Sequence, residues 1–428
     1  MAPVDCILSR TVTIMIVCLL RTLLARLFMS TRRPFVALLI DTSVTWSREL
    51  LRGIHIYSVE HGGWSFHLEP RGQYDRIRLP SGWSGDGVIA RASTLKRANE
   101  LMSMNVPVVN VSTADPSQGE IPQCTSDERE AGRLAADHLS SRGFESFAYC
   151  GPPEKRDGFE DLMLQSFQEE LARLEKAAEC YNPQRSSKTL SLDQSVSREL
   201  TDWLRKLPKP IGVLAWNAVQ GRSVTEACRL AEIRVPEQVA VICGEHDDLV
   251  CGLSTPPLSS IYHDGRKVGY EAASLLDRLM RGERPPPDPI RIPASRLIAR
   301  QSTDILAIED AVLAEALVFI REQACRGIRV DDVVRLLPIS RRALEQKFQE
   351  LLGRSPAEEI RRVRLLHAKT LLEQTDLTVA RIAKVTGFGT PAVLLRNFES
   401  QFGVKPSTYR RQRSHGVAHQ LHSPTKET

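Results

Sequence analysis

Polar and charged side chains follow several short apolar runs in the first three quarters of the chain. Carboxylates, amides and guanidinium groups in such places suit a polyhydroxylated ligand, because its hydroxyls need donors and acceptors and its C–H faces stack on aromatic rings. The competing interpretation is that the ends of strands are exposed and polar in any protein. The candidate ligand-binding residues are Asp41, Ser43, Trp46, Arg91, Asn217, Glu245 and Asp247.

A second polar set lies near the end of the chain, on the outer face of the amphipathic segment 341–352. Arg342 can fork onto guanine, Gln346 can pair with adenine, and Glu345 can accept from cytosine, so this face can read base pairs. The later segment 391–402 is mostly apolar outside, which favours phosphate positioning and contact with thymine methyl groups. The candidate DNA-binding residues are Ser340, Arg341, Arg342, Glu345, Gln346, Lys347, Thr390, Pro391, Ala392, Leu395, Arg396 and Asn397.

Catalytic signatures are missing from the first three quarters of the chain. No G-x-G-x-x-G follows the first strand, and G-x-x-x-x-G-K-[ST], G-x-S-x-G and H-E-x-x-H do not occur. Glu245 and Asp247 could form an acid–base pair, but no nucleophile or metal set accompanies them. The nine cysteines include no C-x-x-C pair, which is typical of a reducing cytoplasm. We expect no enzymatic activity, no metal and no cofactor.

The ligand candidates require a framework, and the pattern from residue 34 to about residue 300 supplies one. Short β-rich runs alternate with amphipathic segments, which predicts an α/β fold with a parallel sheet covered on both faces. Ligands bind beyond the carboxyl ends of strands in such sheets. The expected strands are Phe35–Ile40, Trp64–Leu68, Gly87–Ala90, Pro107–Val111, Ser146–Tyr149, Ile211–Trp216 and Val239–Cys243, with a last one at Ile290–Ile292. The expected helices are 48–60, 127–141, 158–174, 196–207 and 219–232.

From residue 305 the pattern is purely helical. Segments 331–337 and 341–352, joined by a tight turn, predict a helix-turn-helix. A second such unit follows over about 378–402. A capping box at Ser355–Glu358, with proline in the first turn, begins a linker helix that sets the spacing of the two units.

Charge is divided unevenly along the 428 residues. Residues 34–304 carry 32 basic and 37 acidic side chains, whereas residues 305–428 carry 20 basic and 14 acidic ones. A small basic unit joined to an acidic one indicates a polyanion-binding module, although a solvated surface is an equal alternative. The longest apolar run near the start, residues 14–20, is far shorter than a membrane span.

Residues 1–33 have two interpretations. They resemble a poor signal peptide without a small-residue cleavage site, or the start codon is placed too far upstream and Met29 opens the real chain. We favour Met29, because the remainder looks cytosolic. The tail 414–428 lacks periodicity and is expected to be disordered.

The large domain also resembles a known family. Residues 85–90 (GDGVIA), 125–143, 235–244 (VPEQVAVICG) and 269–302 are similar to the sugar-sensing domain of LacI/GalR regulators and to periplasmic sugar-binding proteins. The resemblance implies two lobes over 34–304 that close on a small sugar. It places Asn217 and Glu245 at ligand positions and suggests Arg156 as the clamping arginine. The family usually has Asp where Glu245 stands, which leaves the ligand open.

The small domain, residues 305–413, resembles the DNA-binding domain of AraC/XylS regulators. The matching residues are Arg381-Ile382-Ala383, Gly387-Phe388, Phe398, Phe402-Gly403-Val404-Lys405-Pro406 and Tyr409-Arg410.

A sugar-sensing domain (the sensor, residues 34–304) followed by a DNA-binding domain (the reader, residues 305–413) implies a cytoplasmic transcription factor that binds double-stranded DNA. We expect it to be an activator that contacts RNA polymerase. We expect a homodimer with a small sugar effector, D-xylose being the first candidate, and no membrane partner. The alternatives are an exported sugar-binding protein and a sugar-modifying enzyme.

Overall fold

The structure is a computed structural model that describes residues 32–70, 79, 82–152, 160–182, 198–304 and 310–411. The described residues divide into two compact units. The first unit comprises the described residues up to Asp304, except residues 142–144. The second unit comprises residues 142–144 and the described residues after Asp304. Arg156, Met29 and the tail 414–428 lie outside the described residues.

The first unit contains a sheet built from nearly continuous apolar runs. Its strands are β1 (Phe35–Leu39), β2 (Ser65–Leu68), β3 (Gly87–Ala90) and β4 (Val108–Asn110). They are all parallel, in the order β2-β1-β3-β4. Strands of a parallel sheet are buried on both faces, which is why β1 and β3 lack polar positions. Helices α1 (Thr45–Glu60) and α2 (Leu95–Met102) follow β1 and β3.

A second sheet of the same unit has seven described strands. They are β5 (Cys124–Asp127), β6 (Ser146–Cys150), β7 (Ala178–Tyr181), β8 (Ile211–Ala215), β9 (Val239–Cys243), β10 (Ser259–His263) and β11 (Ile290–Ile298). The order is β5-β11-β10-β9-β8-β6-β7, and only the pair β10–β11 is antiparallel. The helices are α3 (Glu128–Ser140), α4 (Leu162–Arg173), α5 (Arg198–Lys206), α6 (Ala218–Leu230), α7 (Asp248–Leu253) and α8 (Gly265–Met280).

Helix α8 completes the core of the first sheet by packing closely on α1. A Cβ on Gly53 would lie 1.9 Å from the carbonyl oxygen of Arg266, and a Cβ on Gly269 would lie 2.0 Å from that of Leu50. Only glycine allows the two backbones to come so near. Leu50, Val268 and the first-sheet strands share one buried core, so α8 covers the first sheet although it follows a strand of the second.

The α/β fold class is confirmed, and so is the alternation of strands and helices. The prediction of strands from short apolar runs missed β5, β7 and β10, and it included only three of the nine residues of β11. β5 reads Cys-Thr-Ser-Asp and β10 begins with Ser-Ser, although most of their residues are buried. Polar side chains inside a sheet are stable only with partners that distant residues supply, so local sequence did not reveal these strands.

The second unit consists of helices. They are α9 (Ala311–Gln323), α10 (Val330–Leu336), α11 (Arg341–Leu352), α12 (Pro356–Gln374), α13 (Val379–Val385) and α14 (Pro391–Phe402). The pairs α10–α11 and α13–α14 are the two helix-turn-helix units, and α12 is the linker helix. The capping box of α12 is present, with Glu358 and Ser355 bonded reciprocally. Helices α11 and α14 have the bounds that the sequence predicted.

Arginine side chains join the linker helix to the segments on either side of it. Arg364 of α12 donates to the carbonyl oxygens of Ala324 and Ile328, which precede α10, each at 2.8 Å. Arg410, beyond α14, donates to the carbonyl oxygen of Leu372 in α12 at 3.4 Å and to that of Leu377 at 2.7 Å. These partly buried bonds tie α12, a helix about 28 Å long, to the segment before α10 and to the segment after α14.

Membrane spans, metal clusters and disulfides are absent from the part of the chain that the structure describes. No helix in this part is long and apolar enough to cross a membrane. Within the same residues, no group of three His, Cys, Asp or Glu side chains could hold a metal ion. The seven cysteines that the structure describes are free thiols.

Candidate functional site

A cavity in the first unit lies where strands of both sheets end. Its empty space is about 390 Å³, counted with the open solvent at its mouth. Residues after β3, β4, β8 and β9 contribute to its wall, as expected for an α/β sheet. The lining residues are Trp46, Arg91, Val111, Thr113, Ser126, Glu128, Met163, Trp216, Gly244, Glu245 and His263.

Arg91 is held in the cavity wall by Asp41. Its guanidinium lies 3.3 Å from the Asp41 carboxylate, which is almost fully buried. Ser43 and Ser47 donate to the two oxygens of that carboxylate at 3.2 and 3.1 Å. Arg91 also lies over the ring of Trp46, 5.4 Å from its centre. Asp41 and Ser43 therefore position Arg91 and do not themselves line the cavity.

Trp46 is fixed by its own hydrogen bond. Its indole Nε1 donates to Ser126 Oγ at 3.1 Å. Because one face of the ring carries Arg91, Trp46 presents a guanidinium–aromatic pair to a ligand. Trp216, on the opposite sheet, is also buried and supplies a second aromatic wall.

Glu245 is the acidic group at the end of β9. Burial raises the pKa of its carboxyl above the ordinary value, the positive charge of Arg91 opposes that shift, and the negative charges of Asp41 and Asp247 add to it. None of the described residues donates a hydrogen bond to its carboxylate, so an ionised Glu245 still needs donors. Hydroxyl groups of a ligand would supply them.

His263, the last residue of β10, lines the cavity and carries a buried acceptor. Its Nε2 lies 2.9 Å from the carbonyl oxygen of Gly244, so Nε2 carries the hydrogen. Burial lowers the pKa of the imidazole, which is therefore neutral near pH 7, and Nδ1 has a free lone pair. Nδ1 is buried and has no hydrogen-bonding partner among the described residues. A buried polar atom without a partner is costly, so a donor from a bound ligand or a water molecule would be favoured there.

Asp247 and Asn217 hold helix ends and are not part of the cavity lining. One oxygen of Asp247 accepts from the backbone N–H groups of Leu249 and Val250, and the other accepts from the N–H and hydroxyl of Thr45. Asp247 thus links the start of α7 to the start of α1, across the two lobes. Asn217 caps α6 by accepting from the N–H of Gln220 at 3.0 Å. Their roles as ligand contacts remain predictions.

Sequence reasoning did not select Ser126, Glu128 or His263 for the cavity. Each stands at or just after the carboxyl end of β5 or β10, the strands whose polar sequences concealed them. They could have been found by the rule that selected the candidates after the other strands. Polar residues at the carboxyl end of a parallel-sheet strand are ligand candidates wherever the strand itself is recognised.

The outer face of α11 is a set of mutually paired charges. Ser340 caps the helix by accepting from the N–H of Ala343. Arg341 bonds Glu345 at 3.0 Å and Asp331 at 2.9 Å.

Two other side chains of this face are also paired within the second unit. Gln346 donates to Glu350 at 2.7 Å, and Lys347 is paired with Asp310. Arg342 is exposed and has no ion pair among the described residues. It is therefore the cation of this face that is available to a base edge.

The outer face of α14 is different in kind. Thr390, Pro391 and Ala392 are exposed at its start, and Leu395 is half-buried. Arg396 is exposed, whereas the amide of Asn397 donates to the carbonyl oxygen of Val393 at 2.7 Å. Arg396 is therefore the exposed cation of this face, which supports phosphate contact for α14.

Two family models match the chain. A periplasmic binding protein-like domain is matched over residues 136–303, and a helix-turn-helix domain over residues 333–412. The first match covers most of the second sheet and its helices, and the second covers α11 to α14 entirely.

Several relatives match this chain over nearly their whole length. The xylose operon regulatory protein of Escherichia coli (strain K12) is 30% identical over 399 residues, which cover 89% of this chain and 98% of that protein. The protein of the same name from Haemophilus influenzae is 27% identical over 388 residues, covering 88% and 97%. A solved structure described as the xylose-binding transcription activator xylR is 28% identical, with a TM-score of 0.74 over 89% of this chain and 99% of that one. These relatives are transcriptional regulators, and with this two-lobed sensor fold and double helix-turn-helix, the chain belongs to the family of xylose operon regulatory proteins.

Proposed function

We propose that this transcriptional regulator responds to D-xylose bound in the cavity between its two lobes. The observation that carries the proposal is the buried Nδ1 of His263, which has no partner among the described residues and belongs to a cavity that Glu245 also lines. A sugar hydroxyl is such a donor, and Arg91, Ser126 and Thr113 can bond its other oxygens. The names of the relatives support xylose among small sugars.

The two recognition helices bind DNA in this proposal. Helix α11 reads bases through Arg342, and through Gln346 and Glu345 once they are released from their present partners. Helix α14 positions the second unit on the DNA by contacting phosphates. The sensor is residues 34–304 and the reader is residues 305–413. A homodimer that binds in the cytoplasm and recruits RNA polymerase accounts for activation of sugar genes.

Sugar binding controls the reader through the two lobes. The effector can shift the protein only by the difference between its affinities for the two lobe arrangements. Asp247, which joins the lobes through Thr45, adjoins Glu245 and would sense that shift directly.

Fluorescence anisotropy tests the proposal. The full chain is titrated onto DNA from its own upstream region at about 50 and 200 mM salt, with and without D-xylose, and with D-glucose as the comparison sugar. We expect sequence-selective binding that tightens with D-xylose alone. Selective binding that no sugar alters would contradict the effector, and binding that ignores sequence would contradict the reader. A turnover assay with D-xylose is expected to show no consumption of the sugar.

A further inference from the structure

The first unit ends in a short 3-10 turn, Gln301–Thr303, that is held by buried hydrogen bonds. Ser302 and Thr303 are completely inaccessible, as is Ser259 at the start of β10. Ser302 Oγ donates to the carbonyl oxygen of Val241 at 2.5 Å and accepts from the N–H of Ser259 at 2.8 Å. The turn is therefore bonded to two neighbouring strands, β9 and β10.

Thr303 adds a third element to this network. Its Oγ1 lies 2.6 Å from Ser259 Oγ and 2.7 Å from His138 Nε2, near the end of α3. His138 is itself nine-tenths buried. One hydroxyl thus joins the exit of the first unit to a strand and to a helix.

The elements that hold the turn also line the cavity at their far ends. α3 begins with Glu128 in the cavity and reaches Thr303 through His138, about 15 Å further along the helix. β10 begins at Ser259 and ends at His263, which lines the cavity. β9, which bonds Ser302, leads directly to Gly244 and Glu245.

We infer that Thr303 is a positioning residue that couples the cavity to the exit of the sensor. The inference rests on the proposed function. Its hydroxyl is buried and shared, so a displacement of α3 relative to β10 must carry the turn with it or leave polar atoms without partners. Asp304 follows directly, and from there the chain continues to the reader. A ligand that bonds His263 and Glu245 therefore acts on the turn.

We expect different results if the hydrogen bonds of Thr303 only stabilise the fold and if they couple sugar binding to DNA binding. If these bonds only stabilise the fold, their loss lowers the unfolding temperature and leaves the sugar response of the folded protein intact. If they couple the two sites, their loss removes the response while both binding reactions survive. The quantity that separates the two is the ratio of DNA dissociation constants without and with D-xylose.

The test replaces the shared hydroxyl by a methyl group of the same shape, Thr303→Val, in the full chain. We expect the ratio to fall toward one, from the roughly 5–150-fold that allosteric coupling usually gives. The affinity for D-xylose, by calorimetry, and the affinity for DNA without sugar should each stay within about threefold of wild type. Thr303→Ser, which keeps the hydroxyl, should restore the response.

A matched control removes a buried threonine hydroxyl elsewhere. Thr225 in α6 donates only to the carbonyl oxygen of Arg222 in its own helix, so Thr225→Val should keep the wild-type ratio. If Thr303→Val does not fold, His138→Ala removes the hydrogen bond between His138 and Thr303, and the same ratio of DNA dissociation constants is measured for that variant.

Two outcomes would overturn the inference. A wild-type ratio in Thr303→Val would show that the network is structural only, and a loss of D-xylose binding would place Thr303 in the site itself. The proposed function fails separately, if wild-type protein shows no response to D-xylose.

Discussion

The cavity of the first unit and the outer face of α11 in the second hold similar polar side chains in opposite states. In the cavity, His263 Nδ1 is buried and has no partner among the described residues. On α11, Arg341 is exposed and already paired with Glu345 and Asp331. One surface lacks bonds that a ligand must supply, whereas the other holds bonds that a ligand must replace.

This difference sets the size of the effects that each surface can produce. A hydrogen bond to a buried charged group contributes about 1.5–3 kcal/mol, and an exposed ion pair contributes about 1 kcal/mol or less. Replacing the exposed ion pairs on α11 by contacts with DNA therefore costs little free energy. Until DNA binds, these pairs keep the side chains extended and ordered. Selectivity for the sugar rests on few, strong contacts, and affinity for DNA on many weaker ones.

The largest effect is expected from Glu245→Ala. Loss of the carboxylate should weaken D-xylose binding by about 1.5–3 kcal/mol, roughly 10- to 150-fold, and abolish the sugar response while DNA binding without sugar survives. Calorimetry measures the affinity. Glu226→Ala is the control, because that exposed carboxylate is paired with Arg229 on the surface of α6. Unaltered affinity in Glu245→Ala would remove this residue from the site.

Arg342→Ala should have the next largest effect. We expect a loss of about 1–3 kcal/mol on the preferred DNA sequence and a relaxed preference at one base pair, because this arginine is the available base-reading cation of α11. Anisotropy on a set of single-base variants measures it. An equal loss on every sequence would assign Arg342 to a phosphate and weaken the contrast between α11 and α14.

The affinity for D-xylose should also depend on pH. Because the pKa of Glu245 is raised, its carboxylate takes up a proton at a higher pH than an ordinary glutamate, and sugar hydroxyls then lose an acceptor. Affinity should be constant near neutrality and fall on the acid side by up to about tenfold per pH unit. The lowered pKa of His263 keeps that ring neutral over the start of this range. Calorimetry at several pH values shows the decline, and Glu245→Gln should remove it.

Arg396→Ala should have the smallest effect. It is expected to weaken binding of all DNA sequences equally and to lower the slope of log affinity against log salt by about one, as loss of a phosphate contact does. Asn397→Ala is the matched control with no expected effect, since its amide is engaged with Val393 in its own helix. A change in base preference caused by Arg396→Ala would instead make α14 a reader of sequence.

Parts of the molecule followed from local sequence because the relevant forces are local. The bounds of α11 and α14 could be predicted, since apolar spacing and a following glycine define each helix. β3 and β9 were likewise predicted without error, because strands buried on both faces are continuous apolar runs.

Other parts could not be predicted, because distant residues supply the missing partners. β10 is stable although it begins with two serines, since Ser302 and Thr303 bond Ser259 from more than forty residues away. His263 was missed for the same reason. Trp46, Arg91 and Glu245 do line the cavity, but their action on a ligand stays a prediction, as does that of Arg156 outside the described residues.

Reciprocal coupling tests the central claim most directly. If D-xylose changes the affinity for DNA by some factor, DNA must change the affinity for D-xylose by the same factor. Calorimetric titration of D-xylose into the full chain, alone and saturated with its upstream DNA, measures this. We predict two dissociation constants that differ by the factor found in anisotropy. Identical constants beside a sugar-dependent change in DNA binding, or no D-xylose binding in either state, would contradict the account.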